Sequence, residues 1–422
     1  MKHRVSAIKA IAIFSLWALI LLLPLRATAQ QTNKYKYVRK PEIPVRSLRF
    51  ASGQSALKIP FDLSHNIVFV KAQLNNSQPL WFIFDTGASS SVINARLAKE
   101  LGLRVKGNEK GMATGGPIDA ELIPGVSLSL PGVSVFNQTM ASVPLDSLAP
   151  ALGRDIGGII GYDFIKRFVV EVDYGAGTMN PHGPSSYRYS SSGTAFPVTL
   201  INGKPFVSAR ITPKGSESIE GRFMIDTGSD GALGVNVPFV QAHQLLNSTS
   251  QGITANSGGA GGISKSITVR VENIQLGRFI ISNPLVSFSQ ATEGSEMRAD
   301  YDGVLGGEIF RRFTLVLDYS RRRITLYPNA HLGEPVDEDM SGFELMAEGQ
   351  QLVINEVAAN SPAAEAGLLE EDELTAIDGR PVTDIGLEQI WQMFKQEGKE
   401  YLLSIKRGKQ TLQVKIKLRR LI

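Results

Sequence analysis

The sequence predicts a mainly β protein with two similar lobes followed by a smaller domain. Three observations lead to this fold class. The chain has 422 residues, which is enough for two or three domains that each bury a core. It contains 41 glycines among many short apolar runs, a composition typical of strands joined by tight turns. Two blocks of sequence also recur in the same order at nearly the same distance.

The first 29 residues have the pattern of a secretory signal peptide. Lys2, Arg4 and Lys9 give a basic start, an apolar run covers residues 10–25, and Ala27-Thr28-Ala29 is a small-residue cleavage site. The alternative is an uncleaved membrane anchor, although the apolar run is short for a spanning helix. We expect an exported protein, in the periplasm, the cell envelope or outside the cell. After signal removal we expect no stable membrane span.

Removal of the signal would also remove the net basic charge. The formal net charge of +4 falls to zero, because residues 1–29 hold four Lys/Arg and no acid. A neutral mature protein has no general attraction to nucleic acid, so no nucleic-acid partner is expected. The chain has no cysteine, and no two of its 5 histidines lie three to five residues apart. This argues against disulfides, a cysteine nucleophile and a helical zinc site, so we expect no metal and no cofactor.

The repeat consists of two pairs of matching segments. Residues 81–87 and 222–228 both run from apolar residues into Asp-Thr-Gly. Residues 158–168 and 303–313 share an apolar-apolar-Gly block and a closing Arg-Phe. Matching positions are 141 residues apart in the first pair and 145 in the second. These offsets indicate a duplicated unit of roughly 140 residues.

Each unit is predicted to consist mostly of strands. Apolar runs at 66–74 and 81–84 flank one turn, and Asn202-Gly203 is a hairpin turn between runs at 196–201 and 205–211. Linker-like composition near residues 181–192 and 329–340 divides the chain. The predicted parts are an N-terminal lobe (30–185), a C-terminal lobe (186–330) and a last domain (341–422), with short helices at 94–100 and 238–246.

Asp85 and Asp226 are the candidate catalytic residues. Two carboxyl groups that share one proton can activate a water and protonate a leaving amine. A duplicated unit supplies one such carboxyl from each half of the chain. The protons belong to the pair, so neither aspartate is assigned as the base. Four neighbouring residues are expected to support the pair: Thr86, Gly87, Thr227 and Gly228. The glycines allow a tight turn and donate backbone N–H groups to the aspartates, and the threonine hydroxyls bond one loop to the other.

These segments resemble the two active-site loops of the aspartic peptidases. Residues 84–90 read Phe-Asp-Thr-Gly-Ala-Ser-Ser, and residues 225–231 read Ile-Asp-Thr-Gly-Ser-Asp-Gly. The Ile-Ile-Gly and Val-Leu-Gly blocks at 159–161 and 304–306 resemble the second signature of each lobe. The resemblance covers roughly residues 55–330 and is closer to retropepsin-like bacterial proteins than to pepsin. It implies two pseudo-symmetric acid-protease lobes and an aspartic-type endopeptidase acting on polypeptide substrates.

The two loops differ at one position, where Ala88 in the first matches Ser229 in the second. A serine hydroxyl beside the carboxyls would stabilise their ionised form, so its loss predicts a working range of about pH 4.5–7, less acidic than that of pepsin. Two alternatives stay open: a catalytically inactive cell-envelope peptide-binding protein on this fold, and a chain whose site forms only in dimers. Asp119, Asp163 and Asp230 are expected to be loop, turn or capping residues.

Two glycine-rich segments are candidates for the flaps that cover the substrate in this family. They lie about 30 residues past each aspartate, at 112–117 and 257–262. Neither carries the tyrosine of the pepsin flap, and the alternative is two flexible surface loops. The residues predicted to contact substrate are Thr114, Gly115, Gly116, Gly258 and Gly259.

The last domain resembles a bacterial PDZ domain, a small β-barrel with two helices. The resemblance rests on Ser-Pro-Ala-Ala-Glu-Ala-Gly-Leu at 361–368, followed by Ile-Asp-Gly-Arg-Pro-Val at 377–382. It implies a peptide ligand bound as an added strand, in a groove edged by Gly342, Phe343, Leu345 and Leu387. Glu344 stands where glycine is frequent, and a negative charge there would repel a peptide carboxylate. The alternative is a docking or substrate-positioning domain without such specificity.

Two further patterns concern this domain. Leu387, Ile390, Trp391 and Phe394 recur at helical spacing and predict a helix with one apolar face. The basic run 406–420 contains no acid, which is compatible with a membrane-binding surface. However, its basic residues alternate with apolar ones, so the solvated face of a strand is the favoured interpretation.

Overall fold

The structure is a computed structural model that describes residues 15–16, 20–21, 47–248 and 252–422. The predicted signal peptide lies outside these residues, apart from two short strands. Within the described ranges the strands form three sheets of 11, 15 and 6 strands, which confirms the mainly β class. No helix in these ranges is both long and apolar enough to cross a membrane.

The first half of the chain is built from strands with a few short helices. The strands are β1 (Ser15–Leu16), β2 (Ile20–Leu21), β3 (Leu48–Phe50), β4 (Ile59–Ser64), β5 (Ile67–Leu74), β6 (Leu80–Phe84), β7 (Val92–Asn94), β8 (Gly107–Ala113), β9 (Gly116–Leu130), β10 (Val133–Val143), β11 (Gly158–Ile160), β12 (Val169–Asp173) and β13 (Thr178–His182). The helices are α1 (Ala95–Glu100), α2 (Ala149–Leu152) and α3 (Tyr162–Ile165), with a 3₁₀ turn at Asp146–Leu148.

The second half repeats this plan. Its strands are β14 (Thr194–Pro197), β15 (Thr199–Ile201), β16 (Lys204–Thr212), β17 (Ile219–Ile225), β18 (Leu233–Val235), β19 (Gly252–Gly259), β20 (Gly262–Arg270), β21 (Asn273–Leu276), β22 (Phe279–Ser282), β23 (Leu285–Ser289), β24 (Gly303–Leu305), β25 (Phe313–Asp318) and β26 (Arg323–Pro328). Its helices are α4 (Val237–Ala242) and α5 (Gly307–Phe310), with 3₁₀ turns at Leu245–Ser248 and Ser295–Met297.

The C-terminal part forms a separate six-stranded sheet with three short helices. Its strands are β27 (Phe343–Glu348), β28 (Gln351–Val357), β29 (Glu373–Ile377), β30 (Arg380–Pro381), β31 (Glu400–Arg407) and β32 (Gln410–Lys417). Its helices are α6 (Pro362–Glu365), α7 (Val382–Ile385) and α8 (Leu387–Met393).

Local chemistry explains several element ends. The side chain of Asn94 caps α1 by accepting from the backbone N–H of Arg96, and Ser361 caps α6 in the same way. At the predicted hairpin turn, Asn202 and Gly203 have φ angles of 51° and 83°. Both are left-handed, as a two-residue turn between twisted strands requires. The helix predicted at 238–246 is shorter, since α4 ends at Ala242.

The two lobes are joined by a shared antiparallel sheet. Strand β12 of the first lobe pairs with β25 of the second, with Val169 opposite Asp318 and Asp173 opposite Thr314. Asp318 follows Asp173 by 145 residues, which is the repeat offset. The same offset separates the central pair, Glu171 and Val316, so the pseudo-two-fold axis passes through this pair. This sheet places the matching segments of the lobes symmetrically around one axis.

A buried arginine holds the segment that leads into the last domain. The side chain of Arg312 is fully buried, which is costly for a charge unless it is paired and hydrogen-bonded. Its guanidinium donates to the carboxylate of Glu308 at 2.6 Å and to the carbonyls of His331, Glu334 and Pro335. The predicted linker near residues 329–340 is therefore tied to the second lobe.

Candidate active site

Asp85 and Asp226 occupy matching positions in the two lobes. Each directly follows a buried strand, β6 or β17, whose last residues lie in the core. The backbone N–H of Asp85 donates to the carbonyl of Ile160 at 3.0 Å, and that of Asp226 donates to the carbonyl of Leu305 at 2.9 Å. Both side chains are fully buried. Each aspartate is thus fixed by the short strand that runs parallel beside it.

The glycine after each parallel strand allows this close packing. A Cβ added at Gly161 would lie 2.5 Å from the carbonyl oxygen of Ser90 in the first aspartate loop. A Cβ added at Gly306 would meet the carbonyl oxygen of Gly231 in the second. Real Cβ atoms do not approach backbone oxygens so closely, so a side chain at either position would displace the loop above it.

The inner oxygen of each carboxyl group accepts backbone hydrogen bonds from its own loop. Oδ1 of Asp85 accepts from the N–H groups of Gly87 at 2.6 Å and Ala88 at 3.0 Å. Oδ1 of Asp226 accepts from the N–H of Gly228 at 2.8 Å. The outer oxygens, Oδ2 in both cases, have no hydrogen-bond partner among the described residues. These bonds fix both carboxyl planes and leave one oxygen of each open for chemistry.

The two threonines bind the loops to each other. Thr86 donates its hydroxyl to the carbonyl of Ile225 at 2.7 Å, and Thr227 donates its hydroxyl to the carbonyl of Phe84 at 2.6 Å. Each hydroxyl bridges from one lobe to the backbone that precedes the opposite aspartate. The relative position of the two carboxyl groups is therefore set by hydrogen bonds in which all groups are buried.

The two carboxyl groups lie close together across the lobe boundary. A Cβ added at Gly228 would be 2.6 Å from Cγ of Asp85, so the Asp85 carboxyl packs directly against the second loop. Burial raises the pKa of Asp85 well above its usual range, and repulsion by Asp226 raises it further. Burial also raises the pKa of Asp226. Carboxyls in this arrangement resist double ionisation, which is the electrostatic condition for sharing one proton.

Two buried tyrosines near the pair were not singled out from the sequence. Tyr174 and Tyr319 directly follow β12 and β25, the strands that pair at the lobe boundary, and are 145 residues apart, so they are equivalent positions. Their hydroxyls have no hydrogen-bond partner among the described residues. Burial raises the pKa of both, and the charge of Asp226 contributes for Tyr174. The repeated Asp-Tyr at the two strand ends was the signal that could have identified them.

Three other aspartates, Asp119, Asp163 and Asp230, were expected not to be catalytic. Asp163, in the first turn of α3, accepts from the N–H and the hydroxyl of Ser91, both at 2.6 Å. The carbonyl of Asp230 accepts from the side chain of Asn66 at 3.0 Å. Asp119 is exposed on β9. The positions of Asp163 and Asp230 are compatible with the expected loop, turn or capping roles, whereas that expectation is wrong for Asp119, which lies within a strand.

The two predicted flap segments form the ends of β-hairpins. Strands β8 and β9 enclose the first tip, at residues 114–115, and β19 and β20 enclose the second, at residues 260–261. Gly116 opens β9, while Gly258 and Gly259 close β19.

The tips touch each other. The N–H of Gly261 donates to the carbonyl of Thr114 at 3.1 Å, and a Cβ on Gly115 would overlap the backbone of Gly262. The absence of side chains at these glycines allows this contact.

A buried glutamate lies beside both tips. Glu296 accepts from the hydroxyl of Ser264, on the second hairpin, at 2.6 Å and from the hydroxyl of Ser295 at 3.1 Å. The hydroxyl of Ser295 lies 3.4 Å from that of Thr114, on the first hairpin. Burial raises the pKa of Glu296. The loop at 294–296 therefore connects the two hairpins through short side-chain contacts.

The predicted peptide-groove residues lie together at one edge of the C-terminal sheet. Gly342 has a φ of 77°, and a Cβ there would overlap the side chain of Ser361. Phe343 packs edge-to-face on Phe394 with ring centroids 5.2 Å apart. Among the described strands, β27 pairs with β28 alone, and Leu345 on it contacts the domain core, as does Leu387 on α8.

Glu344 is partly buried at this edge. Its carboxyl accepts from the side chain of Asn355 at 2.9 Å. Burial raises its pKa to about 8, and repulsion by Glu356 acts in the same direction. Below this pH the side chain is mostly neutral, so the expected repulsion of a peptide carboxylate is weakened.

The groove edge faces the first lobe. Helix α2 packs against strand β27, and a Cβ added at Gly153 would lie 3.1 Å from the side chain of Leu387. On the outer side of α8, the carboxyl of Glu388 accepts from the N–H of His65 at 2.8 Å. The ring of Trp391 lies 4.4 Å from that of His65, measured between centroids. Residues 149–153 thus occupy the space beside the two elements that edge the predicted groove.

The basic run at the end of the chain is paired with acids. Lys406 contacts Glu373 at 3.0 Å, and Lys415 contacts Glu400 at 2.5 Å. Arg420 contacts Asp337 at 2.8 Å. The side chains of β32 alternate between exposed and partly buried, which confirms the prediction of a strand with one solvated face.

Within residues 47–248 and 252–422, no group of His, Asp and Glu side chains is arranged to hold a metal ion.

Comparison with known proteins identifies two segments of the chain. Residues 70–164 match the aspartyl protease family, and residues 339–418 match the PDZ domain family. The first match includes Asp85 and ends before Asp226.

A probable CtpA-like serine protease of Staphylococcus haemolyticus is 34% identical over 88 residues. That similarity covers 19% of this chain and 18% of the relative, so the chain matches less than a fifth of that protein. The word serine in this name describes the catalytic type of the relative, not of this chain.

Proposed function

We propose that this chain, in which an aspartyl protease domain is followed by a C-terminal PDZ domain, is an aspartic-type endopeptidase. The observation that carries the proposal is the arrangement of Asp85 and Asp226. They lie at equivalent strand ends of the two lobes, with Oδ1 of each held by backbone amides and Oδ2 of each without a hydrogen-bond partner among the described residues. Because both lobes belong to one chain, the pair forms without a second copy.

The proposed reaction is hydrolysis of a peptide bond by a water activated between the two carboxyl groups. The ionised carboxyl takes a proton from the water as its oxygen bonds to the carbonyl carbon, while the protonated carboxyl hydrogen-bonds to the carbonyl oxygen. Proton return to the amide nitrogen then breaks the carbon–nitrogen bond and releases an acid and an amine. The raised pKa of Asp85 and of Asp226 favours the required singly ionised pair.

Extended polypeptides are the proposed substrates, and the hairpin residues Thr114, Gly115, Gly116, Gly258 and Gly259 are proposed to cover them. Each hairpin can accept an additional strand along one edge. Ser257 and Gly258 pair with β1, and Met112 and Ala113 pair with β2. Such backbone pairing binds a chain independently of its side chains. The contact between the hairpin tips implies that they separate when a substrate enters.

We propose that activity is greatest at about pH 4.5–7, because one carboxyl must be ionised and the other protonated. The burial that raises both pKa values supports a range above the usual titration of aspartate. A pH–rate optimum below about 3 would contradict this part of the proposal.

The experiment is cleavage of a mixed peptide library from pH 3 to 8, followed by mass spectrometry. We expect wild type to cleave, and Asp85→Asn and Asp226→Asn to be inactive while keeping the wild-type circular dichroism spectrum. Asp119→Asn is the matched control, because it makes the same chemical change on the exposed face of β9. Cleavage that persists in both dyad variants would exclude the proposed mechanism.

A wild type that is inert at every pH would instead favour the peptide-binding alternative. A statine-containing inhibitor, which resembles the tetrahedral intermediate, gives a second readout. An active pair should bind it and raise the melting temperature, whereas Asp226→Asn should lose most of that shift.

We further propose that the PDZ domain binds a peptide or positions substrate, through Gly342, Phe343, Leu345 and Leu387, and that the protein is exported. Strand β27 is an edge strand, which supports binding by strand addition. Export follows from the signal-like sequence of residues 1–29. A mature protein beginning at Gln30, found by intact mass in the extracytoplasmic fraction, would support export, and a retained Met1 would count against signal cleavage.

A further inference from the structure

One buried lysine lies opposite the second aspartate. Lys204 is the first residue of β16 and directly follows the Asn202-Gly203 turn. Strand β16 pairs with β17 so that Phe206 is opposite Met224. Continued for two residues, the same register places Lys204 opposite Asp226. Residues that face each other in an antiparallel pair project to the same side of the sheet, so the lysine side chain leaves on the aspartate's side.

The first lobe has no charge at the equivalent position. There, Phe69 is opposite Ile83, which is two residues before Asp85, just as Met224 is two residues before Asp226. The counterpart of Lys204 is therefore Ile67, which is fully buried. The duplicated unit carries an isoleucine in one copy and a lysine in the other. Lys204 thus makes the electrostatic surroundings of the two aspartates unequal.

Lys204 has no local partner for its charge. Only 2% of the residue is exposed, and its Nζ has no hydrogen-bond partner within the part of the chain that the structure describes. The charged groups that act on it are Asp226, Asp85, Arg298 and Asp300. Asp300 is already occupied, because Nε of Arg298 donates to its carboxyl at 2.7 Å. The two catalytic candidates are the acids that remain for Lys204.

The apolar surroundings of Lys204 allow its charge to act on groups several ångströms away. Next to Lys204 on the same face of β16, Phe206 belongs to a buried apolar cluster with Met224, Tyr301 and Val304. Met112, from the first flap hairpin, packs against this cluster. Apolar walls exclude water, so a charge is screened less here than at the surface. A buried ammonium without a counter-charge would also be costly, which favours a nearby anion.

We propose that Lys204 is the counter-charge of the singly ionised aspartate pair and biases the negative charge towards Asp226. This inference rests on the proposed function. Lys204 acts as a positioning residue: it touches no substrate, but it determines which carboxyl is ionised and over what pH range. With the pair carrying one negative charge and the lysine one positive charge, the buried group is neutral. Asp85 then holds the proton that is donated to the substrate carbonyl.

The directions of the pKa shifts agree with this geometry. Burial lowers the pKa of Lys204 to about 7, and Asp226 followed by Asp85 opposes that decrease. In return, Lys204 lowers the pKa of both aspartates. The ammonium form therefore persists through most of the pH range proposed for activity. Above it, loss of the charge would remove the stabilisation of the ionised pair.

The first test is the pH dependence of kcat/KM for Lys204→Met, which removes the charge at similar volume. We expect the acidic limb to move to higher pH by about one unit, because the first ionisation loses a nearby cation. Lys204→Arg, which keeps the charge, should restore the limb towards its wild-type position. Ile67→Met is the matched control at the equivalent position and should leave it unchanged. If the acidic limb of the kcat/KM profile of Lys204→Met stays at its wild-type pH, the proposal is wrong.

The second test does not require activity and so separates this inference from the proposed function. Melting temperatures at pH 6 are compared for Lys204→Met, Asp226→Asn and the double variant. Lys204→Met leaves the ionised Asp226 without its counter-charge, and Asp226→Asn removes the carboxylate that neutralises Lys204, whereas the double variant retains only Asp85, whose raised pKa keeps it protonated. We expect the decrease in melting temperature of the double variant to be clearly smaller than the sum of the decreases in the two single variants. Additive shifts would mean that Lys204 and Asp226 are not coupled, and would overturn the inference even in an active enzyme.

Discussion

Thr86 and Thr227 bond reciprocally across the lobe boundary. The hydroxyl of Thr86 accepts from the N–H of Thr227 at 3.1 Å, and the hydroxyl of Thr227 accepts from the N–H of Thr86 at 3.2 Å. Each hydroxyl also donates to a carbonyl of the opposite loop. Four hydrogen bonds thus join the lobes at the base of the aspartate pair, and the symmetry of the repeat is what allows each threonine to serve both roles.

Thr86→Val should destabilise the protein by about 2–3 kcal/mol, because it leaves the buried N–H of Thr227 and the carbonyl of Ile225 without partners. Thr86→Ser keeps the hydroxyl and should cost about 1 kcal/mol, from the lost methyl group. Chemical denaturation measures both. Equal losses in the two variants would show that packing of the methyl group matters more than the hydrogen bonds.

Gly228→Ala should abolish peptide cleavage. The added Cβ would lie 2.6 Å from Cγ of Asp85, so the carboxyl must move away from its position beside Asp226. A displacement of this size at reacting groups costs a large factor in rate. Gly333→Ala is the control, since its Cβ would meet no atom within 4 Å. Library cleavage is the measurement, and an active Gly228→Ala would contradict the close packing of the two loops.

Asp85→Asn should raise the melting temperature above that of wild type at pH 7–8. Burial and Asp226 raise the pKa of Asp85 in the folded protein. The stability contribution of a carboxyl with a raised folded-state pKa is fully present below the unfolded-state pKa and is lost as the pH rises through the folded-state pKa, because the unfolded chain ionises first. Asparagine mimics the protonated form and does not titrate. The difference should shrink towards pH 4, where the Asp85 carboxyl becomes protonated in the unfolded chain as well. A variant less stable than wild type at pH 8 would contradict the assigned direction.

The features that repeat along the chain could be predicted from the sequence. Two Asp-Thr-Gly segments and their downstream glycine blocks predicted two equivalent lobes, and Asn202-Gly203 predicted the hairpin that the structure contains. Such features depend on residues close together in the chain. The pairing of Val170 with Leu317, which joins the lobes, depends on segments about 145 residues apart and has no local signal.

Periodicity also could not separate core contacts from contacts between domains. Ile390, Trp391 and Phe394 all fit one helical face in the sequence. In the structure Ile390 and Phe394 are buried in the core of the C-terminal domain, whereas Trp391 contacts His65 of the first lobe. An aromatic residue at the edge of an apolar face satisfies either environment. Only the packed structure shows which neighbour it has.

Lys204 is a similar case. A lysine at the start of a strand, after a turn, is ordinarily a solvent-exposed residue. Its burial follows from the register with β17, which places it opposite Asp226. Comparison of the two repeats at this position, with Ile67 in one and Lys204 in the other, was the signal that could have revealed it from the sequence.

Glu388→Ala should loosen the C-terminal domain from the first lobe. The carboxyl of Glu388 accepts from the N–H of His65 at 2.8 Å and from the hydroxyl of Ser64 at 3.1 Å, next to the ring of Trp391, which contacts that of His65. Without the carboxylate these donors lose their partner, and the contact between α8 and the first lobe weakens. The radius of gyration from small-angle scattering should increase, and amide exchange at Ser64 and His65 should accelerate.

The same variant should bind peptides more tightly in the predicted groove. Residues 149–153 lie beside β27 and Leu387 in the docked arrangement, so only the fraction of molecules with a released domain offers the groove to a ligand. A larger released fraction raises the apparent affinity in proportion. Fluorescence anisotropy with a labelled hexapeptide library, on the full chain carrying Asp226→Asn to prevent cleavage, measures the change. Glu370→Ala, an exposed acid of the same domain, is the control. A scattering profile and an affinity that both stay at the wild-type value would show that Glu388 does not hold the domains together.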